Sequence, residues 1–206
     1  MISIYQLKPA FQNLLRPFTK TLHKANITAN QVTLFACCGS LLIAGIIVIL
    51  LPNTLILWLI PVWMFIRMAL NAIDGMLARE FDQKSALGAY LNELCDVIAD
   101  TALFLVLIFV PGVHLYAVLL LIFLAIISEY AGVMAPLIGA SRRYDGPMGK
   151  SDRAFIMGAL AVFIALSLLP SIMINTILYL TSALHCYTIF NRIKKGIAES
   201  YNSTIP

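Results

Sequence analysis

The sequence predicts an all-α integral membrane fold, six transmembrane helices preceded by an amphipathic interfacial helix. Three observations carry that prediction. Of 206 residues, 61% are hydrophobic and 12% charged, with mean hydropathy +0.90, against about 45–50% apolar and about 25% charged in soluble domains. Six runs, at roughly 31–51, 54–79, 85–110, 113–139, 153–169 and 171–191, approach or exceed the ~20 mostly apolar residues that a helix needs to cross a bilayer. The runs are continuous rather than alternating, which excludes a β-barrel.

Residues 1–26 read as the interfacial segment. Phe11, Leu14, Leu15, Phe18 and Leu22 recur at helical spacing, while Gln12, Arg16, Thr19, Lys20 and His23 fall elsewhere, as expected of a helix lying in the headgroup plane. Pro9 is expected to open it and Pro17 to kink or divide it, because proline removes a backbone donor. The six-helix bundle then occupies 27–191. Thr28 and Gln31 have the spacing of a capping box that starts the first span. Pro52, Pro111 with Gly112, Gly146 with Pro147, and Pro170 punctuate brief connections. A tail, 192–206, follows. No repeat or low-complexity stretch appears, so 1–206 reads as one membrane domain. No cleavable leader is expected, since some 30 residues with many polar side chains precede a full-length first span.

The charges orient the bundle. With the N-terminus in the cytoplasm, Lys8, Arg16, Lys20, Lys24, Arg79, Lys84, Arg142, Arg143, Lys150, Arg153, Arg192, Lys194 and Lys195 all fall on the inner side, leaving Arg67 within the second span. That obeys the positive-inside rule and places both termini in the cytoplasm. The formal charge of +4 hugs helix ends instead of forming a stripe with interleaved aromatics, so anionic membrane lipids, not nucleic acid, are the expected partner. Cys37, Cys38, Cys95 and Cys186 lack metal-ligand spacing and read as small packing residues.

Chemistry concentrates in the second and third spans. Arg67, Asn71, Asp74 and Ala78 step by four, three and four, which stacks them on one helical face; Glu93, Asp96 and Asp100 do the same on the next helix, with Asn92 a turn before Asp96. Ionisable groups at membrane depth are costly and mark functional sites. Oxygen ligands on two facing helices suit a hard divalent cation, and Mg²⁺ takes only one or two protein carboxylates when phosphates and water complete its shell. Gly75, Ala78 and Gly88 either leave room for a ligand or permit close helix packing. A buried Arg67 demands a partner, for which Asp100 is expected first and Glu129 second. Lys150 and Arg153, three apart at a helix start, could face the same cavity.

Asn71, Asp74, Gly75, Ala78, Arg79, Gly88, Asn92 and Asp96 follow, at identical spacing, the pattern Asp-x2-Asp-Gly-x2-Ala-Arg-x8-Gly-x3-Asp-x3-Asp. The chain therefore resembles the CDP-alcohol phosphotransferase (phosphatidyltransferase) family, in a bacterial inner-membrane branch; six of the eight positions match, and both departures are Asp replaced by Asn. The six-helix layout, the interfacial helix and the run Ile27 to Thr33 are similar too. The resemblance implies transfer of a phosphatidyl group from a CDP-linked donor, usually CDP-diacylglycerol, to an alcohol acceptor, with release of CMP. It implies that Asp74, with Asp96, Asn71 and Asn92, holds Mg²⁺ or Mn²⁺, and that Asp96 is the general base. Gly75, Ala78, Arg79 and Gly88 would admit the nucleotide, and Lys150 and Arg153 would bind phosphate. A homodimer is a further expectation of the resemblance.

The two Asn residues weaken the ligand field. Glu93 or Asp100 could substitute a carboxylate, unless Asp100 is spent on Arg67. Two alternatives stay open: a family relative that binds lipid or nucleotide without turnover, and a small transporter using Arg67, Asp100 and Glu129 as pathway residues.

Overall fold

The structure, a computed structural model, describes residues 4–51 and 53–204, with side chains over 9–51 and 53–201; Pro52, an expected breaker, lies outside the described residues. Every regular element among the described residues is helical. Seven α-helices follow one another: α1 Ile4–Lys24, α2 Ala29–Leu50, α3 Leu59–Glu80, α4 Ala86–Leu105, α5 Leu115–Met134, α6 Lys150–Ala165 and α7 Ser171–Thr204. Short 3₁₀ turns, Thr54–Trp58, Val106–Phe109 and Ala135–Ile138, extend α3, α4 and α5.

Each of the six predicted runs is helical, and α1 precedes them. Four segments are long and apolar enough to cross a membrane: Ala29–Leu50, Thr54–Glu80, Leu115–Ile138 and Ser171–Tyr201. The other two fall short for visible reasons. α4 carries Glu93, Asp96 and Asp100 within its length, and α6 has 16 residues. The protein is a multi-pass membrane protein by length and composition. α7 does not stop at 191 but continues as one helix to Thr204, so most of the tail is helical.

The chain divides into two compact units, each described by itself. The first holds 1–45 and 62–102. Ala29 and Val32 of α2 pack against Ile73 and Leu77 of α3, with Leu15 and Leu22 of α1 against the same cluster. The expected capping box is present: Gln31 N donates to Thr28 Oγ1 at 3.3 Å and Thr28 N to Gln31 Oε1 at 2.9 Å. Gln83 accepts from Ala29 N at 2.7 Å, satisfying a further donor of the helix start.

α1 departs from expectation in three ways. It begins before Pro9 and runs through Pro17; Pro17 is exposed, so the carbonyl it leaves without a donor faces the environment rather than the interior. Its apolar residues divide, with Leu15 and Leu22 inward and Leu14 and Phe18 outward. Thr19, placed on the polar side, is fully buried, its hydroxyl turned back to Leu15 O at 3.1 Å and lying 3.9 Å from Met76 Sδ. Back-bonding satisfies the hydroxyl within its own helix, which is what lets it be buried. Arg16 donates to both Glu80 carboxylate oxygens, at 3.2 and 3.0 Å, tying α1 to the end of α3.

The second unit holds 46–61 and 103–206. α5 packs along α7, and α6 against the Thr54–Trp58 turn. Asn175 of α7 accepts from His114 N at 2.7 Å and donates to Gly112 O at 2.9 Å, fixing the turn that precedes α5. The 139–149 connection is fastened to α7: Met148 N donates to Thr188 Oγ1 at 3.1 Å, Lys195 pairs with Asp145 at 2.8 Å, and Glu199 accepts from Ser141 N at 2.9 Å and pairs with Arg143. Gly146, at φ +114°, lies where a Cβ would come 2.7 Å from Thr188, so this close approach requires glycine. Of the cysteines, Cys37 and Cys95 are buried as expected, whereas Cys38 and Cys186 lie on exposed faces.

Candidate active site

The helical period of α3 and α4 delivers the predicted stripes in the first unit. Arg67, Asp74, Asp96 and Asp100 are all buried, none more than 9% exposed, and Asn71 and Asn92 are half-buried. Such groups persist away from water only when their charges and hydrogen-bonding capacity are met by neighbours.

Those neighbours form a connected group. Arg67 Nη1 donates to Asp100 Oδ1 at 2.5 Å, and Nη2 donates to Asp96 Oδ1 at 2.9 Å and to the Asp96 carbonyl at 3.2 Å. Asn71 Nδ2 donates to the same Asp96 Oδ1 at 3.1 Å. One turn along α3 from Asn71, Asp74 Oδ2 lies 2.7 Å from Thr33 Oγ1 of α2. That hydroxyl also lies 3.1 Å from Ala29 O; it has a single proton, and the charged, closer acceptor is the stronger claimant. Thr33 escaped the sequence reading as a site residue, although it ends the Ile27 to Thr33 run.

The expected Arg67–Asp100 pair is thus present, and Asp100 serves as counter-ion. Asp96 takes the second place beside Arg67 that was foreseen for Glu129, and Glu129 pairs with arginines of its own unit. Glu93 is half-buried on α4, a turn before Asp96.

The small residues lie under polar groups. A Cβ on Gly75 would come 2.9 Å from Arg79 Nη2, and one on Gly88 would come 2.7 Å from Asn30 Oδ1 and 3.0 Å from Ser85 Oγ. Each glycine keeps space that a polar side chain now fills, rather than a helix backbone. Ala78 packs on the Ala29, Val32, Ile73, Leu77 cluster, and Arg79 is exposed at the end of α3. Asn30 had no assigned role; its only sequence signal was its place inside the capping box.

The donor set fits one hard cation. Asp74 and Asp96 offer carboxylates, and Asn71 and Asn92 amide oxygens. Among the described residues no group of three or more His, Cys, Asp or Glu gathers to hold a metal. Two carboxylates suffice for Mg²⁺ or Mn²⁺ when phosphate and water supply the remaining ligands.

The second unit holds another ionic cluster, around Glu129 of α5. Glu129 Oε1 accepts from Arg153 Nη1 at 2.7 Å and lies 3.4 Å from Arg192 Nη1; Oε2 accepts from Arg142 Nη2 at 3.1 Å. Arg192 also donates to Ser128 O, and Arg142 stacks 4.1 Å over the Tyr144 ring. Lys150 is half-buried at the first turn of α6, and Arg153 is 3% exposed. Arg192 carried no sequence signal beyond its charge, because its partner is 63 residues away.

Known proteins resemble this chain in sequence and in fold. The family model described as CDP-alcohol phosphatidyltransferase matches residues 26–195. The chain is 44% identical over 201 residues to inner membrane protein YnbA of Escherichia coli strain K12, covering 97% of this chain and 98% of that protein. It is 34% identical over 104 residues to phosphatidylinositol phosphate synthase of Corynebacterium glutamicum, covering 50% of this chain and 45% of that one. In fold it is similar to the Mycobacterium tuberculosis phosphatidylinositol phosphate synthase. A crystal structure of that enzyme with CDP-DAG bound gives a TM-score of 0.69 at 21% identity, covering 87% of this chain and 92% of that one; one in complex with manganese and citrate gives 0.71 at 21%, covering 87% of each.

Proposed function

The chain belongs to the CDP-alcohol phosphatidyltransferase family, enzymes that pass a phosphatidyl group from a CDP-linked lipid to an alcohol, and we propose that it does so with CDP-diacylglycerol as donor and CMP as the released product. The observation that carries the proposal is the link between α3 and α4: Asn71, one turn from Asp74, donates to the Asp96 carboxylate. Signature residues 25 apart are thereby one group.

Asp96 acts as general base, taking the proton of the acceptor hydroxyl. The acceptor oxygen bonds to the phosphorus that carries diacylglycerol, the bond from that phosphorus to the CMP oxygen breaks, and CMP leaves. Little covalent chemistry falls to the protein in such a transfer; it positions and neutralises. Thr33 holds Asp74, Arg79 brings positive charge over Gly75, and Gly75, Ala78 and Gly88 admit the nucleotide. Lys150 and Arg153 bind phosphate of donor or acceptor. Asp74 and Asp96, with the amide oxygens of Asn71 and Asn92, are the residues that would hold Mg²⁺ or Mn²⁺, whose charge lowers the cost of charge developing on the leaving phosphate.

The setting proposed is a bacterial inner membrane, with α4 and α6 crossing it beside the four longer spans, both termini cytoplasmic, residues 1–206 acting as one functional domain, and two copies paired. A second reading, a relative that binds CDP-diacylglycerol without turnover, is favoured by Asn71 and Asn92 standing where the family pattern has Asp, which leaves two carboxylates in the signature.

One experiment separates the two. Purified protein, CDP-diacylglycerol, Mg²⁺ and a panel of polar alcohols should yield CMP and a new lipid identified by mass. Thermal stabilisation by CDP-diacylglycerol with no CMP would select the second reading.

A further inference from the structure

Arg67 is outside the eight-position signature, yet it hydrogen-bonds the side chain and the carbonyl of Asp96, a signature residue. A buried arginine needs one carboxylate for charge balance; this one has two, and it uses different nitrogens for each. Nη1 is taken by Asp100. Nη2 is thereby aimed one turn back along α4, where it meets both the side chain and the carbonyl of Asp96. A planar fork fixed at both prongs defines a direction as well as a charge.

Asn71 completes the arrangement. Its amide nitrogen donates to the same Asp96 oxygen that Arg67 Nη2 does. A carboxylate at position 71 would have no proton to donate and would repel Asp96. The departure from the family pattern at position 71 and the arginine four residues earlier therefore act on one atom, Asp96 Oδ1, and hold it with two N–H donors on the face of α3.

We propose that Arg67 is a positioning residue for Asp96: clamped by Asp100, and assisted by Asn71, it fixes Oδ1 so that Oδ2 is the oxygen presented to the acceptor hydroxyl. The inference rests on the reading of Asp96 as base. Arg67 touches no substrate in this account. Its contribution is orientation, and misplacing a reacting group by about 1 Å costs on the order of 10²-fold in rate.

The test compares wild type with Arg67→Gln, Arg67→Lys and the double variant Arg67→Gln/Asp100→Asn. The double variant removes one positive and one negative charge together, so the net charge of the buried group is unchanged and loss of fold is less of a risk than in Arg67→Gln alone. Steady-state CMP release should show kcat about 10²-fold lower in all three, with the KM for CDP-diacylglycerol within about threefold of wild type. Lysine keeps the charge but lacks the fork, so its failure to rescue separates orientation from neutralisation. A crystal or cryo-EM structure of the double variant should show the Asp96 carboxylate turned away from Asn71.

Wild-type kcat in Arg67→Lys or in the double variant would reduce Arg67 to a counter-ion and overturn the proposal, as would an unmoved Asp96 in that structure. Should wild type release no CMP, the transferase reading fails on its own, and the Asp96 orientation in the double variant still decides the role of Arg67.

Discussion

Two buried ionic clusters use the same kinds of side chain in opposite proportion. On α3 and α4 one guanidinium, Arg67, serves the carboxylates of Asp96 and Asp100. On α5, α6, α7 and the 139–149 connection, one carboxylate, Glu129, serves Arg142, Arg153 and Arg192. The first proportion leaves an excess of negative charge, the second an excess of positive charge. They also differ in reach. Arg67 reaches partners 29 and 33 residues away on the one helix that follows its own, whereas Glu129 gathers partners 13, 24 and 63 residues away from two helices and a connection. In the proposed reading the first is a device for chemistry; the second fastens α5, α6 and α7 to the connection between them.

The largest expected effect falls on the second cluster. Glu129→Ala leaves two buried cations, Arg153 and Arg192, and the half-buried Arg142 without their shared anion, and breaking a buried pair in this way costs about 3–5 kcal/mol. Thermal unfolding in detergent should show it, and a wild-type melting curve would break the comparison. Asp96→Asn has the complementary profile. Arg67 keeps Asp100, so the melting temperature should move little, while kcat for CMP release falls about 10²–10⁴-fold. Equal loss of fold in both variants would erase the distinction between device and fastener.

A smaller effect sharpens the first cluster. Thr33→Val removes the hydroxyl that holds Asp74; a hydrogen bond to a charged group contributes about 1.5–3 kcal/mol. The Mg²⁺ concentration for half-maximal CMP release should rise about tenfold, and an unchanged requirement would remove Asp74 from the cation site.

The smallest effect is one of pH, at the edge of the second cluster. Burial would raise the Asp145 carboxyl, but hydrogen bonds from Lys195 and Arg143 outweigh it and hold the group below its ordinary value. A carboxylate with a lower pKa folded than unfolded contributes its full stability above the unfolded value, about pH 4, and loses it as pH falls through the folded one. The melting temperature should therefore decline below about pH 4, and Asp145→Asn should flatten that decline.

What the sequence disclosed tracks the range of the interaction. The α3 and α4 stripes and the Thr28–Gln31 cap follow from local spacing, because residues three or four apart share a face whatever the rest of the chain does, and the Arg67–Asp100 pair, 33 residues apart, was legible only because a charge at membrane depth demands a partner. The neighbours of Glu129 follow from neither, since only the packing of α5 along α7 brings Arg192 to it. Thr33 stayed hidden for a related reason: a threonine in an apolar helix reads as filler until the facing helix places Asp74 against it. Continuity of α1 through Pro17 depended on which side of the helix the proline ring fell, which composition does not reveal.

The length of α7 has a practical corollary. At 34 residues it measures roughly 51 Å, well beyond the ~30 Å of a hydrocarbon slab, and its last turns grip the α5–α6 connection through Lys195, Glu199 and Ser200. A substitution that frays those last turns would therefore be felt in the α5–α6 connection as well as in α7 itself.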